Sequence, residues 1–263
     1  MNPIAIVQAR MGSSRLPGKV LRPIVGKPML ELLVERIAAV PAFKRVVVAT
    51  SERPGDQIIV ETMKRRGIDC FAGSEKDVLD RFYSAALTYK GDPILRVTAD
   101  CPLVDLDIIS DLIEFYNAGE YDYVGVAAGA GAADLDGGRY PDGLDAEYMS
   151  VQTLERAWKE ATQSADREHV TPYIWRNPHL FRIGSLRAPR DYSQLRWTVD
   201  HESDFILIDQ IYRELYSSKP FFTMEDILNL LQDRPELRDI NSHYIGQEGY
   251  SELWKPSSLP QDR

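Results

Sequence analysis

The chain has 263 residues and a formal net charge of −9, and 44% of its residues are hydrophobic. This size suits one large α/β domain, and the acidic balance argues against a general nucleic-acid-binding surface. Its two cysteines lack the spacing of a structural zinc site or a disulfide framework. The first residues carry no signal-peptide pattern, and no apolar run approaches the roughly 20 residues of a membrane helix. We therefore expect a cytoplasmic protein without a membrane segment.

Strand-like and helix-like patterns alternate through the first half of the chain. The predicted strands are 4–9, 45–50, 68–73 and 93–100, and the predicted helices are 28–40, 56–67, 77–90 and 106–119. This order predicts an α/β fold built on a mostly parallel, doubly wound sheet with helices on both faces. Ligands of such sheets bind at the carboxyl ends of the strands.

The second half of the chain departs from this alternation. A Gly/Ala-rich stretch over 128–138 predicts a mobile loop. After it we predict a helix over 151–163, a last strand over 195–200, and helices over 203–216 and 223–232. The sequence thus predicts a single domain over 1–245, with an insertion of about 128–190 as a candidate dimerisation arm. Residues 246–263 are predicted to form a loosely held tail.

The loop after the first predicted strand is unusually basic. It carries Arg10, Arg15 and Lys19, and residues 1–30 contain no carboxylate. Glycine and serine residues accompany these cations, namely Gly12, Ser13, Ser14 and Gly18. Glycines allow close approach of backbone N–H groups to a ligand, so the loop is suited to a triphosphate. A solvated basic loop is the alternative, and the loop is not a Walker A loop because Val20 follows Lys19.

The fourth predicted strand ends in a carboxylate, Asp100, within "TADCPLVD". A carboxylate at this edge of a parallel sheet is placed to hold Mg²⁺ against nucleotide phosphates. The alternative is that Asp100 caps the next helix, although Asp105 and Asp107 lie closer to that helix. Cys101 has no activating base nearby in the sequence and is predicted to be a packing residue.

These motifs carry a resemblance to a known family. The stretch "QARMGSSRLPGKVL" resembles the signature loop of the cytidylyltransferases that activate acidic sugars, the 3-deoxy-manno-octulosonate and acylneuraminate cytidylyltransferases. It is most similar to their relatives named spore-coat polysaccharide biosynthesis protein F. Four further blocks follow in the family's order, at 96–105, 140–147, 166–174 and 196–205. The resemblance spans about 4–216 and implies a nucleotidyltransferase sheet, CTP as substrate, Mg²⁺, pyrophosphate release and a homodimer.

The resemblance also implies roles for individual residues. Arg10, Lys19 and Asp100 are the expected catalytic residues, and Asp100 and Asp200 the expected metal ligands. The expected nucleotide-binding residues are Ala9, Arg10, Gly12, Ser13, Ser14, Arg15, Lys19, Gly73 and Asp77. The acylneuraminate enzymes carry Asp-x-Asp where this chain has Thr198-Val199-Asp200, so one carboxylate is left there. The alternative for Asp200 is an N-cap of the following helix, and the alternative for 72–81 is a helix N-cap at Ser74 with Glu75 and Asp77 favouring the helix dipole.

The acceptor is expected to contact two further motifs. "YPDGLDAEYM" supplies Tyr140, Asp142, Asp145 and Glu147, whose carboxylates and ring suit a sugar, and "DREHVTPY" supplies Glu168 and His169. An ordinary turn at Asp142-Gly143 and a structural role for His169 are the alternatives.

The sequence therefore predicts an enzyme that transfers CMP from CTP to a hydroxyl of an acidic sugar in polysaccharide biosynthesis. Two alternatives stay open. One is a glycosyltransferase on a similar sheet, and the other is a non-catalytic nucleotide-binding protein.

Overall fold

The computed structural model describes residues 2–128 and 137–246. Within these ranges the strands are β1 Ile4–Gln8, β2 Pro23–Ile24, β3 Lys27–Pro28, β4 Val46–Ser51, β5 Asp69–Gly73, β6 Ile94–Thr98, β7 Tyr123–Val126, β8 Glu147–Met149 and β9 Ile183–Leu186. Seven of them form one sheet in the order β5-β4-β1-β6-β8-β7-β9, and β2 pairs with β3 separately. Every neighbouring pair in the large sheet is parallel except the two pairs that involve β8. The predicted, mostly parallel α/β fold is confirmed.

Helices cover both faces of this sheet. In the same ranges they are α1 Met29–Ala38, α2 Gln57–Arg65, α3 Val78–Tyr89, α4 Leu106–Ala118, α5 Val151–Glu160, α6 Ser164–His169, α7 Pro172–Trp175, α8 Glu202–Leu215 and α9 Met224–Asp233. The apolar sides of α1, α2, α4, α8 and α9 belong to one buried cluster, and those of α3, α5 and α7 to another. The seven predicted helices all form, with ends shifted by up to a few residues. No helix of the described ranges is long and apolar enough to cross a bilayer.

The register of the central strands sets up the site. Gln8 at the end of β1 lies opposite Ala49 of β4 on one side and Thr98 of β6 on the other. Because these strands are parallel, the loops that follow them leave the sheet at the same edge. The basic loop after β1 and Asp100 after β6 are therefore neighbours.

Neither predicted metal ligand, Asp100 or Asp200, caps a helix of the described ranges. The Asp105 carboxylate caps α4 by accepting hydrogen bonds from the backbone N–H groups of Asp107, at 2.8 Å, and Ile108, at 3.2 Å. The N-cap of α8 is His201, with Asp204 completing a capping box. Capping therefore does not account for Asp100 or Asp200.

One predicted strand is wrong, and five strands of the described ranges, β2, β3, β7, β8 and β9, were not predicted. Residues 195–200 form no strand. Within the described ranges their β-type pairing is limited to an isolated β-bridge between Arg196 and Asp142. The alternating apolar residues there, Trp197 and Val199, are buried because the extended segment crosses the end of the sheet. Of the unpredicted strands, β8 is too short to give a sequence pattern and is inserted antiparallel between β6 and β7.

The predicted insertion of about 128–190 contributes β8 and β9 to the central sheet. Its helices α5 and α6 pack against α3. Residues 129–136 and 247–263 lie outside the described ranges, so the predicted mobile loop and most of the predicted tail cannot be compared with the structure. The domain boundaries and the dimerisation arm stay predictions.

Candidate active site

A cavity of about 430 Å³ opens at the carboxyl ends of β1 and β6. It brings together predicted residues from four separate parts of the sequence. Those that line it are Ala9, Arg10, Gly12, Ser13, Ser14, Arg15, Lys19, Asp100, Glu168, His169 and Asp200. Most of the predicted catalytic, nucleotide and metal residues therefore share one cavity.

Lys19 lies at the centre of this arrangement. It occupies the short 3₁₀ helix Lys19–Leu21, and only 7% of its surface is exposed. Its Nζ atom donates to Asp100 Oδ2 at 3.2 Å, Asp200 Oδ1 at 2.9 Å and the Val199 carbonyl at 2.5 Å. Burial alone would lower the pKa of Lys19, but the two carboxylates outweigh it and hold the pKa above its usual value. The amine therefore stays charged at neutral pH.

The carboxylates of Asp100, just after β6, and Asp200, at the end of the extended segment 195–200, both contact the Lys19 amine. About 30% of each side chain is exposed, at 31% and 29%. Burial would raise the pKa of Asp200, but Lys19, Arg15 and Arg196 together hold it below its usual value. No group of three or more His, Cys, Asp or Glu residues suited to a metal occurs in the described parts of the chain. Two carboxylates fit Mg²⁺, which commonly takes one or two protein carboxylates and completes its shell with phosphate oxygens and water.

The cations of the loop differ in what they contact. The Arg15 guanidinium lies 3.3 Å from Asp200 and its side chain is 54% exposed. Arg10, in contrast, makes no hydrogen bond or ion pair with any residue of the described ranges, although it lines the cavity. A cation without an internal partner, beside a cavity, is available to an anionic ligand.

A buried carboxylate that the sequence analysis assigned to a helix start anchors the loop instead. Asp56 Oδ1 accepts a hydrogen bond from the backbone N–H of Met11 at 2.7 Å, and its other oxygen accepts one from the Ser51 hydroxyl. The Met11 carbonyl in turn accepts from the N–H of Gly18, whose φ is +72°. The loop is thus closed on itself and tied to β4, which gives its cations a fixed position.

His169 and Glu168 reach the cavity from the end of α6. Burial, assisted by Arg96 and Arg10, lowers the pKa of His169 against the opposing charges of Glu168 and Asp166. The imidazole is therefore neutral at pH 7.

The predicted nucleotide residues Gly73 and Asp77 lie further along the groove. A second cavity, of about 630 Å³, is lined by Gly73 and Ser74, and a third, lined by Arg10 and Arg53, adjoins both. Asp77 does not line these cavities. It caps α3 by accepting from the N–H of Asp80 at 2.9 Å and pairs with Arg167 at 2.5 Å. A helix does begin in this segment, but its N-cap is Asp77 rather than Ser74, whose hydroxyl accepts from the Asp77 N–H.

Four of the predicted acceptor residues do not line the central cavity. Tyr140 is buried, Asp142 pairs with Arg196 at 2.9 Å, and Asp145 accepts from the N–H of Gly143 at 2.8 Å. The predicted acceptor contact of Glu147 disagrees with its placement in β8. Its side chain is 3% exposed, and its carboxylate binds the Tyr123 hydroxyl at 2.5 Å, the Thr171 hydroxyl at 2.7 Å and Arg96.

Gly143 is required for the close approach of two segments. Its φ is +107°, and an added Cβ atom would lie 2.3 Å from the backbone nitrogen of Thr198. The turn therefore packs directly against the segment that carries Asp200. The Asp142-Gly143 turn, for which the sequence allowed an ordinary turn, therefore also has a packing role that requires glycine.

Arg196 and Cys101 lie beside the two predicted metal ligands. Arg196, which the sequence analysis did not single out, contacts Asp200 at 3.3 Å with a side chain that is 4% exposed. Cys101 is buried, and burial, with the neighbouring Asp100, raises the pKa of its thiol well above the usual value. Its packing role agrees with the prediction, because a thiol held protonated is a poor nucleophile.

Comparison with known proteins places this site in a family. A family model described as Cytidylyltransferase matches residues 4–232. The chain belongs to the cytidylyltransferase family. Spore coat polysaccharide biosynthesis protein SpsF of Bacillus subtilis is 32% identical over 240 residues, covering 88% of this chain and 94% of that protein. The family predicted from the sequence is thereby confirmed.

Two further comparisons agree with this assignment. The 3-deoxy-manno-octulosonate cytidylyltransferase of Synechococcus elongatus is 34% identical over 120 residues, covering 44% of this chain and 48% of that enzyme. The structure of a cytidylyltransferase from Leptospira borgpetersenii superposes with a TM-score of 0.81 at 29% identity, covering 90% of this chain and 96% of that one. The chain shares both sequence and fold with the family.

Proposed function

We propose that this cytidylyltransferase transfers CMP from CTP to a hydroxyl group of an acidic sugar, with Mg²⁺ and release of pyrophosphate, in the cytoplasmic stage of polysaccharide biosynthesis. The observation that carries the proposal is the contact of Lys19 Nζ with both Asp100, at 3.2 Å, and Asp200, at 2.9 Å. Arg10, which has no partner within the described ranges, lines the same cavity. Cations and carboxylates at one point suit a phosphate chain with its bound metal ion.

The loop residues supply the charge stabilisation in this proposal. The acceptor oxygen forms a bond to the α-phosphorus of CTP while the bond from that phosphorus to the β-phosphate oxygen breaks, and pyrophosphate leaves with the electron pair. Arg10 and Lys19 stabilise the charge that develops on the α-phosphoryl group and on the pyrophosphate, and Arg15 binds the tail phosphates. Since no covalent enzyme intermediate is needed, positioning and charge carry the rate.

Asp100 and Asp200 would hold the Mg²⁺ ion, which supplies Lewis-acid polarisation of the phosphate oxygens when bound. Lys19 lies between these two carboxylates and keeps them at a fixed spacing before the nucleotide arrives. His169, neutral at pH 7, is available in the same cavity to take the proton of the acceptor hydroxyl.

The acidic acceptor and the polysaccharide role rest on the relatives. SpsF is named for spore coat polysaccharide biosynthesis, and the cyanobacterial relative is named for an octulosonate. Arg10, which has no partner among the described residues, gives the cavity a cation that suits an acceptor carboxylate as well as phosphates.

A pyrophosphate-release screen tests the proposal. Four nucleoside triphosphates are combined with Mg²⁺ and a panel of octulosonic, nonulosonic and other sugar acids. We expect pyrophosphate with CTP and at least one sugar acid, and only when both are present. Binding of CTP by calorimetry without turnover across the panel would favour a non-catalytic nucleotide-binding protein instead. Sugar transfer from a nucleotide-sugar donor without pyrophosphate would favour a glycosyltransferase.

A further inference from the structure

A buried ionic network lies directly beneath Asp200. Arg196, with a side chain that is 4% exposed, contacts three carboxylates: Asp142 at 2.9 Å, Asp200 at 3.3 Å and Asp204 at 3.1 Å. A buried guanidinium with several fixed partners cannot swing freely. Its contact with Asp200 therefore restrains the direction in which that carboxylate points.

Asp204 restrains the backbone of Asp200 as well. It is completely buried, and its Oδ2 atom accepts from the backbone N–H groups of Asp200 at 3.0 Å and His201 at 2.9 Å. Its other oxygen accepts from Arg196 Nε at 3.1 Å. One carboxylate thus links the main chain of Asp200 to the guanidinium that contacts its side chain.

Asn241 closes the network from the C-terminal side. It is 2% exposed, and its Nδ2 atom donates to Asp204 Oδ1 at 2.8 Å and to the Arg196 carbonyl at 2.9 Å. An amide NH₂ group has two hydrogens, and both are used here. Three residues later, the ring of Tyr244 stacks on His201, with centroids 3.7 Å apart and planes 8° apart. The segment 241–244 therefore contacts Arg196, Asp204 and His201, which lie on both sides of Asp200 in the chain.

This segment lies beyond residues 4–232, which the family model covers. We propose that Asn241 is a positioning residue for Asp200, acting through Asp204 and Arg196. The inference rests on the proposed function, in which Asp200 holds the metal–nucleotide complex. Residues that orient a metal ligand typically change metal affinity by about 10–100-fold when they are removed.

The test compares Mn²⁺–CTP binding by the full-length wild-type protein with binding by Asn241→Ala and Asn241→Leu. Enhancement of water-proton relaxation by Mn²⁺, in the presence of CTP and without acceptor, measures binding independently of turnover. We expect both variants to bind the complex about 10-fold more weakly. The leucine variant has nearly the volume of asparagine, donates no hydrogen bond to Asp204 and adds no second buried charge, so it keeps the proposal testable if the alanine variant does not fold.

Asn177→Ala is the matched control. Asn177 Nδ2 also donates to a backbone carbonyl, that of Tyr173 at 2.7 Å, but Asn177 does not line the cavity. We expect Asn177→Ala to bind Mn²⁺–CTP with the affinity of the wild type. Asn241 variants that melt at a lower temperature yet bind Mn²⁺–CTP like the wild type would show a purely structural role and overturn the inference. If the wild type itself neither binds Mn²⁺–CTP nor releases pyrophosphate, the proposed function fails and the inference fails with it.

Discussion

The Nζ atom of Lys19 lies 3.2 Å from a carboxylate oxygen of Asp100, although 81 positions separate the two residues in the sequence. The contact exists because β1 and β6 are adjacent parallel strands whose loops leave the sheet at one edge. Asp200 joins the same amine at 2.9 Å from a third part of the chain. A buried amine between two carboxylates holds three charges in fixed positions at the mouth of a cavity.

The substitution Lys19→Met removes the charge and keeps the apolar stem. If Lys19 stabilises the transferring phosphoryl group, the turnover number for pyrophosphate release should fall by about 10²–10³, as for a lost oxyanion donor. Steady-state assays with saturating CTP and acceptor measure the change. Lys27→Met is the control, because Lys27 pairs with Glu35 and Tyr216 away from the cavity. Near-normal turnover in Lys19→Met would show that the assignment is wrong.

Arg10→Ala should weaken CTP binding without destabilising the fold. Arg10 has no internal partner within the described ranges, so its removal leaves no buried group unsatisfied. A lost charge-assisted hydrogen bond corresponds to about 1.5–3 kcal/mol, or roughly 10–100-fold in affinity. Calorimetric titration with CTP and a thermal melt measure the two effects. Arg213→Ala, in an exposed helical ion pair with Asp209, should change neither. A lower melting temperature with unchanged CTP affinity would assign Arg10 to the fold.

Gly143→Ala should affect both stability and turnover. The new Cβ atom would lie 2.3 Å from the Thr198 nitrogen at a φ of +107°, so the segment leading to Asp200 must move. We expect a loss of about 1–3 kcal/mol in the free energy of unfolding, measured in urea, with a lower turnover number. Gly55→Ala is the control, because no atom lies within 4 Å of its added Cβ. If Gly143→Ala and Gly55→Ala had the same free energy of unfolding and the same turnover number, the close approach of Gly143 to Thr198 would be refuted.

The pH dependence of His169 follows from its lowered pKa, which is caused by partial desolvation at the cavity wall and by the cations Arg96 and Arg10. Its folded-state pKa is lowered, so the neutral imidazole is favoured by folding. The contribution of neutral His169 to the free energy of unfolding is therefore complete above the unfolded-state pKa of about 6.5. It is lost as the pH falls through the lowered folded-state pKa. NMR titration, with the resonance assigned by comparison with His169→Gln, should give a midpoint below that unfolded value. A midpoint at or above it would contradict the placement.

The sequence predicted the part of the site that depends on local pattern and parallel strand order. The apolar runs identify β1 and β6, and the polar residues that follow them converge because parallel strands end at one edge. Asp56 does precede α2 at its N-cap position, in agreement with the predicted start of that helix, but its carboxylate accepts from the N–H of Met11, 45 positions away, rather than from the helix. Nothing local predicts such a contact.

The network beneath Asp200 could not be predicted for the same reason. Arg196 meets Asp142, Asp204 and Asn241 only after the chain has folded, and each partner alone is an ordinary polar residue. The apolar alternation of 195–200 suggested a strand, but it reflects burial of Trp197 and Val199 in an extended crossing segment. The short β8 and the buried Glu147 likewise depend on tertiary packing that local periodicity does not encode.

The fate of the α-phosphate tests the central claim most directly. The protein is incubated with Mg²⁺, the responsive sugar acid and CTP labelled with ³²P at either the α or the γ position. We predict that the α label appears in the sugar product and the γ label in pyrophosphate, and that Asp100→Asn abolishes both. Release of the γ label as inorganic phosphate, or undiminished transfer by Asp100→Asn, would contradict the account.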